Sequence, residues 1–330
     1  MTRFEFIHIG HGKCLSTMLQ RRWAESDRYN YCHGLAAGNM LSDAFLAGSR
    51  DPSRHPVRFA LNDQNPNVLS YECFTFFGCA PDVPTHQRHL TLDRQAFIAS
   101  ALAPFSDRVL LVLRDPKDWI RSCHAQYVKY GGALSLQGYF DAFRVPLLDN
   151  LRLDRILQIW RERGFAPVAL AMESYTSDPR SFWADYERQT GLPEPGEIAE
   201  DDAADNRTDH DKLEPRALAN GAIEMLIRLM ERNELYQLSP QHRKELEVFS
   251  TINRSFQTWT VRRAFEAMDT EDLRAFCNHI NFVPSSDFLQ LELDDAARDL
   301  LTESYVEPLT GFAAFEPHLD GYRASLAGAQ

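Results

Sequence analysis

The stretch "FIHIGHGKCLSTMLQRRW" (6–23) sets two glycines, a lysine and two hydroxyl side chains between an apolar run and a helical pattern. The linking residues are Gly10, His11, Gly12, Lys13, Cys14, Leu15, Ser16 and Thr17. A strand, a glycine loop and a helix start in succession supply converging backbone N–H groups at the positive end of a helix dipole, which is an anion cradle. Ser16 and Thr17 can add hydroxyl donors, and Lys13 a cation. In the common nucleotide-binding spelling, GxxxxGK[ST], lysine directly precedes the hydroxyl residue that holds magnesium. Here Lys13 precedes the two hydroxyl residues by three and four positions. The loop therefore suits a phosphate but offers no obvious magnesium ligand.

A second stretch, "RVLLVLRDPKDWIRSCHAQYVKYGG" (108–132), reads as a buried strand ending in Arg114, an Asp-Pro turn and a helix stopped by two glycines. A residue at the carboxyl end of a parallel strand faces the crevice where ligands bind in open α/β sheets. An arginine fork at Arg114 with the hydroxyl of Ser122 makes a second phosphate clamp. The bland alternative for Arg114 is an ion pair with Asp115 or Asp118. Glu72, in "NVLSYECF", ends another strand-like run beside Tyr71, Phe74 and Phe76, where burial could raise a carboxyl into the range of a general base. His11 and His124 are its rivals for that role.

Two phosphate clamps at two strand ends resemble the PAPS-dependent sulfotransferases (PAPS is 3′-phosphoadenosine 5′-phosphosulfate). The run His8-Ile9-Gly10-His11-Gly12-Lys13-Cys14-Leu15-Ser16-Thr17-Met18-Leu19-Gln20 is similar to that family's 5′-phosphosulfate loop. Arg114-Asp115-Pro116-Lys117-Asp118 followed by Ser122 is similar to its 3′-phosphate motif, with the same arginine-to-serine spacing. Met172-Glu173 before "SYTSDPRSF" stands where the family carries a tyrosine-glutamate pair ahead of a D-P-x-x-F helix. The resemblance covers about the first two-thirds of the chain. It implies PAPS as sulfuryl donor, 3′-phosphoadenosine 5′-phosphate (PAP) as product, no metal, Lys13 and Glu72 as catalytic residues, and a glycan or other small-molecule hydroxyl as acceptor. The chain departs from the family at Gly12, where proline is usual, and at Leu15, where glycine would give the backbone a positive-φ option. A P-loop kinase using ATP and magnesium, or a non-catalytic nucleotide-binding relative, are the other readings.

These residues need elements to hold them. Strands are expected at 4–9, 108–113 and 167–172, with a fourth at 67–72, because each is short, apolar and separated from the next by helical pattern. Helices are expected at 16–25, 92–103, 117–130, 149–164 and 179–190. Leu15, Met18, Leu19 and Trp23 would share a face of the first. The fold class is α/β: a P-loop-like three-layer fold with a central parallel sheet flanked by helices. Residues 191–216 read as an exposed acidic loop. Helices around 217–233, 240–249, 257–266, 270–279 and 293–304 make 217–330 a helical C-terminal extension packed on the same single domain, 1–330.

The 330 residues carry a formal net charge of −12, which argues against nucleic-acid or anionic-membrane partners, since both need a basic surface. Any cation that serves an anion must be local. The longest clean apolar run, "VLLVL" (109–113), is far too short for a membrane span. The six cysteines show no CxxC pair and no zinc spacing. With no signal-like N-terminus, the expected location is the cytoplasm. The acidic run 200–211 lacks the EF-hand spacing and its glycine, and reads as a solvated loop.

Overall fold

The computed structural model describes residues 3–79, 84–196, 212–232, 267–279 and 287–328. The chain forms two compact units: Met1–Ile120 with Phe143–Arg207 and Glu292–Gln330, and Arg121–Ala142 with Thr208–Leu291. The expected 217–330 extension is thus divided between them, and 121–142 joins the second unit.

The first unit is built on a parallel sheet of β1 (Phe6–His8), β2 (Asn30–His33), β3 (Asn67–Ser70), β4 (Arg108–Leu113) and β5 (Ala166–Ala171), in the spatial order β2-β3-β1-β4-β5. Every neighbouring pair is parallel. The α/β class with a central parallel sheet and flanking helices is therefore the architecture found. β4 lies inside the sheet, and Val109 to Leu113 have no exposed surface, which is why this run reads as continuously apolar. β2 is the strand that pattern reading overlooks. "NYCH" is an edge strand, half-buried to exposed, with neither an apolar run nor strict alternation.

The helices are α1 (Ser16–Glu25), α2 (Leu35–Leu46), α3 (Thr91–Leu102), α4 (Pro116–Lys129), α5 (Leu136–Ala142), α6 (Arg144–Asn150), α7 (Leu153–Arg161), α8 (Met172–Ser177) and α9 (Pro179–Thr190). α1 buries Ser16, Leu19 and Trp23 on one face; Leu15 and Met18 are only half-buried. α2 was hidden by a glycine in its middle. At Gly38 a Cβ would come within 2.4 Å of the Tyr71 ring, so the close approach of that ring requires glycine. The expected helix 149–164 is two, α6 and α7, divided at Leu151 and Arg152.

Toward the C-terminus come α10 (Leu213–Arg232), α11 (Thr270–His279), α12 (Asp295–Leu301) and α13 (Leu319–Ala327). α12 runs on through a π turn (Thr302–Val306) and a short last turn (Glu307–Leu309). The acidic loop read at 191–216 ends earlier than expected, because α10 already starts at Leu213. Its centre, 197–211, and the expected helices at 240–249 and 257–266 lie outside the described residues. In the second unit, Ala125, Val128, Leu213, Ala217 and Phe288 form one apolar cluster and Leu218, Ala222, Leu273 and Cys277 belong to another. Among the described residues no helix is long and apolar enough to cross a membrane.

Candidate functional site

β1 stops at His8, and the chain turns through Gly10–Leu15 before α1 begins. Gly10, Lys13 and Leu15 all take positive φ, at 51°, 73° and 59°. Two of these are not glycine, and left-handed backbone costs such residues about 1–2 kcal/mol each. Leu15 thus adopts the conformation that a glycine would have given freely. Strain of this kind persists only where its surroundings fix it, and here they do so through the loop's carbonyls. The Thr75 hydroxyl donates to the Ile9 carbonyl at 3.1 Å and also to that of Gly10. The Trp119 indole N–H donates to the Gly12 carbonyl at 2.7 Å. Arg114 Nη1 lies 3.5 Å from the Lys13 carbonyl. In a planar trans peptide the N–H points opposite to the preceding C=O. Holding the carbonyls of 9, 10, 12 and 13 therefore also fixes the direction of the N–H groups of Gly10, His11, Lys13 and Cys14.

α1 adds the rest of the cradle. Its N-cap, Leu15, offers no side-chain acceptor and its first turn holds no acid, so the helix start is left for an anion to complement. Ser16 is buried, and among the described residues its Oγ has no hydrogen-bond partner. Thr17 is exposed and Cys14 fully buried. Thus, of the two hydroxyls singled out in the sequence, Ser16 is the buried one.

Glu72 opens a short 3₁₀ turn (Glu72–Phe74) beyond β3. A Cβ on Gly10 would come within 3.0 Å of the Glu72 Cα and Cβ and 3.3 Å of Ser16 Oγ. Glycine there lets the loop pack against the Glu72 Cα and Cβ. Burial pushes the neighbouring Cys73 thiol up, as does the Glu72 charge, while the Arg94 and Lys13 cations oppose it. Arg94 also fixes this turn: its buried guanidinium donates to the Cys73 carbonyl at 2.5 Å and to Ser42 Oγ at 2.6 Å.

Arg114 follows β4, at the carboxyl edge that β1 and β3 also feed. The ion pair with Asp118, the bland alternative, is loose at 3.9 Å with the Arg114 side chain 20% exposed, and among the described residues its buried Nε has no partner. Asp115 is otherwise engaged. Its carboxylate caps α4 by accepting from the backbone N–H groups of Lys117 at 2.8 Å and Asp118 at 3.0 Å. Ser122, its expected companion, is half-buried on α4 and belongs to the second unit.

The rival bases have other employment. His11 is buried and tilted against the Trp119 ring at 4.8 Å, and its Nε2 donates to the Asn150 carbonyl at 2.5 Å. Burial lowers its pKa to about 4, which leaves a neutral ring, a weak base at pH 7. His124 sits in the second unit against Tyr127, Tyr139 and Phe288, bonded to the Leu134 carbonyl at 2.9 Å. Burial lowers its pKa as well.

Thr75, Trp119 and Asn150 escaped the sequence reading. Thr75 and Trp119 donate to backbone carbonyls remote in sequence, the Asn150 carbonyl accepts from His11, and residue type carries no signal of such pairings. Among the described residues no three His, Cys, Asp or Glu side chains gather so as to hold a metal ion. The chain matches no protein-family model and no curated protein sequence.

Proposed function

We propose that the protein transfers the sulfuryl group of PAPS to a hydroxyl of a carbohydrate or other small-molecule acceptor by in-line displacement. One observation carries the reading: a strained cradle at the end of β1, with Arg114 against it, leaves two buried donors, Ser16 Oγ and Arg114 Nε, that no group among the described residues satisfies. Buried polar groups are normally paired, and anionic oxygens would pair both. The order of these residues is also that of the PAPS-binding motifs they resemble.

In this reading the cradle N–H groups and Ser16 hold the 5′-phosphosulfate, and Arg114 takes the 3′-phosphate. Lys13 offsets the charge that gathers on the bridging phosphate oxygen as the S–O bond breaks. Glu72 accepts the acceptor's proton as the new S–O bond forms. A sulfuryl group carries less negative charge than a phosphoryl group, so alignment and charge compensation suffice without a metal. The proposed setting is the cytoplasm, where six cysteines that form no disulfide stay reduced.

Thermal unfolding with PAP, with ATP plus magnesium, and with no ligand tests the nucleotide half. Saturating PAP should stabilise the protein by about 2.7 kcal/mol at a hundredfold excess over Kd. Stabilisation by ATP only when magnesium is present would instead favour a kinase. No response to either would overturn both.

A further inference from the structure

Arg114 is poorly held by its own side chain. Among the described residues its guanidinium has one hydrogen-bond contact, at 3.5 Å to the Lys13 carbonyl, and a loose 3.9 Å approach to Asp118. The backbone beneath it is fixed far better, and the groups that fix it come from the C-terminal helices and α8. Tyr305, fully buried in the π turn Thr302–Val306, donates its hydroxyl to the Arg114 carbonyl at 2.7 Å. One Glu173 carboxylate oxygen accepts the Asp115 backbone N–H at 2.8 Å, and the other accepts the Tyr322 hydroxyl at 2.6 Å. Ser325 donates to the Asp115 carboxylate at 3.2 Å, and the Lys117 ammonium to the Ser325 carbonyl at 3.1 Å. The Tyr305 ring also stands 6.1 Å from that of His11 in the cradle. It therefore borders both anion-binding loops.

A fork that must meet one phosphate needs a backbone that does not wander, since a small misplacement forfeits the bidentate geometry. Three of these five remote bonds fall on two consecutive residues, Arg114 and Asp115. π turns re-aim a single side chain within a helix and are frequent at functional sites; here the turn carries Tyr305. We propose that Tyr305, seconded by Tyr322 through Glu173, is a positioning residue that aims Arg114. Preference for a nucleotide bearing a 3′-phosphate then depends on the C-terminal helices. The inference rests on the reading that this crevice holds PAPS.

Calorimetric titration of wild type, Arg114→Ala, Tyr305→Phe and Tyr322→Phe with PAP and with AMP, which lacks the 3′-phosphate, tests it. Wild type should prefer PAP, and Arg114→Ala should abolish that preference. Tyr305→Phe should weaken PAP by about 5- to 10-fold, the worth of one hydrogen bond, while AMP binds as before. Tyr322→Phe, one bond further out and able to stand in if Tyr305→Phe does not fold, should shift the same ratio less. A merely structural tyrosine would weaken both ligands alike or neither, and either result would overturn the inference. A wild type that binds PAP no more tightly than AMP would instead overturn the PAPS reading, and it is recognised without any variant.

Discussion

Lys13 holds a left-handed backbone conformation at φ 73° in a loop whose carbonyls are pinned by Thr75, Trp119 and Arg114. The position of its Cα is thus set before any ligand arrives, which is the condition for a charge to act without reorganisation. Lys13→Ala should lower kcat by roughly 10²–10³-fold in a labelled-PAPS transfer assay, by analogy with losing one oxyanion donor. A near-wild-type turnover number would remove Lys13 from the mechanism. His11 gives a different test. With its pKa lowered to about 4 by burial, against 6.5 for an ordinary imidazole, it takes up a proton between these values only on unfolding. Acid therefore favours the unfolded chain, and stability falls as the pH drops from about 6.5 towards 4. The fall is on the order of 3 kcal/mol at most for this one group. His8, lowered to about 3 by burial, adds a loss of the same sign. Urea unfolding at neutral and mildly acid pH should show the decline, and His11→Gln should flatten it. An unchanged slope in the variant would show that His11 is not the group responsible.

At the scale of elements, the cradle is shaped by what surrounds it more than by its own residues. Thr75, from the turn after β3, donates to two consecutive loop carbonyls, and its own carbonyl accepts from Gln95 on α3 at 3.1 Å. β1, β3 and α3 are thereby tied at one point. Thr75→Val keeps the shape and removes the donor, leaving buried carbonyls unsatisfied. It should cost about 1–3 kcal/mol in urea unfolding, and it should weaken PAP binding because the loop's N–H groups lose their aim. Full stability in that variant would mean that Trp119 and β1 pairing hold the loop unaided. The loop glycines divide the remaining work. Gly10 serves a close approach to Glu72 as well as a positive φ, whereas the Gly12 carbonyl is held by an indole.

Across the whole molecule, the strand order β2-β3-β1-β4-β5 brings the loops after β1, β3, β4 and β5 to one carboxyl edge. Gly10–Leu15, Glu72, Arg114 and Glu173 come from those four loops. The net charge of −12 does not by itself decide the field at that edge, because nearby charges act strongly there while more distant charge is screened. The sequence alone determined the parts whose physics is local. Buried strands announce themselves by unbroken apolar runs, as β4 does. Helix starts follow glycines and prolines, and α1 and α9 fall at the expected residues, 16–25 and 179–190. The turn between β1 and α1 that holds Lys13, and the place of Arg114 just after β4, were legible because both are short-range patterns. Tertiary structure alone decided the edge strand β2, the glycine-bearing α2, and the partition of residues 217–330 between two units. It alone also brought Trp119 to Gly12, Asn150 to His11 and Tyr305 to Arg114, pairs separated by 107, 139 and 191 residues. Such contacts are made by chain closure across the sheet, and no local pattern records which distant hydroxyl or ring will meet a given carbonyl.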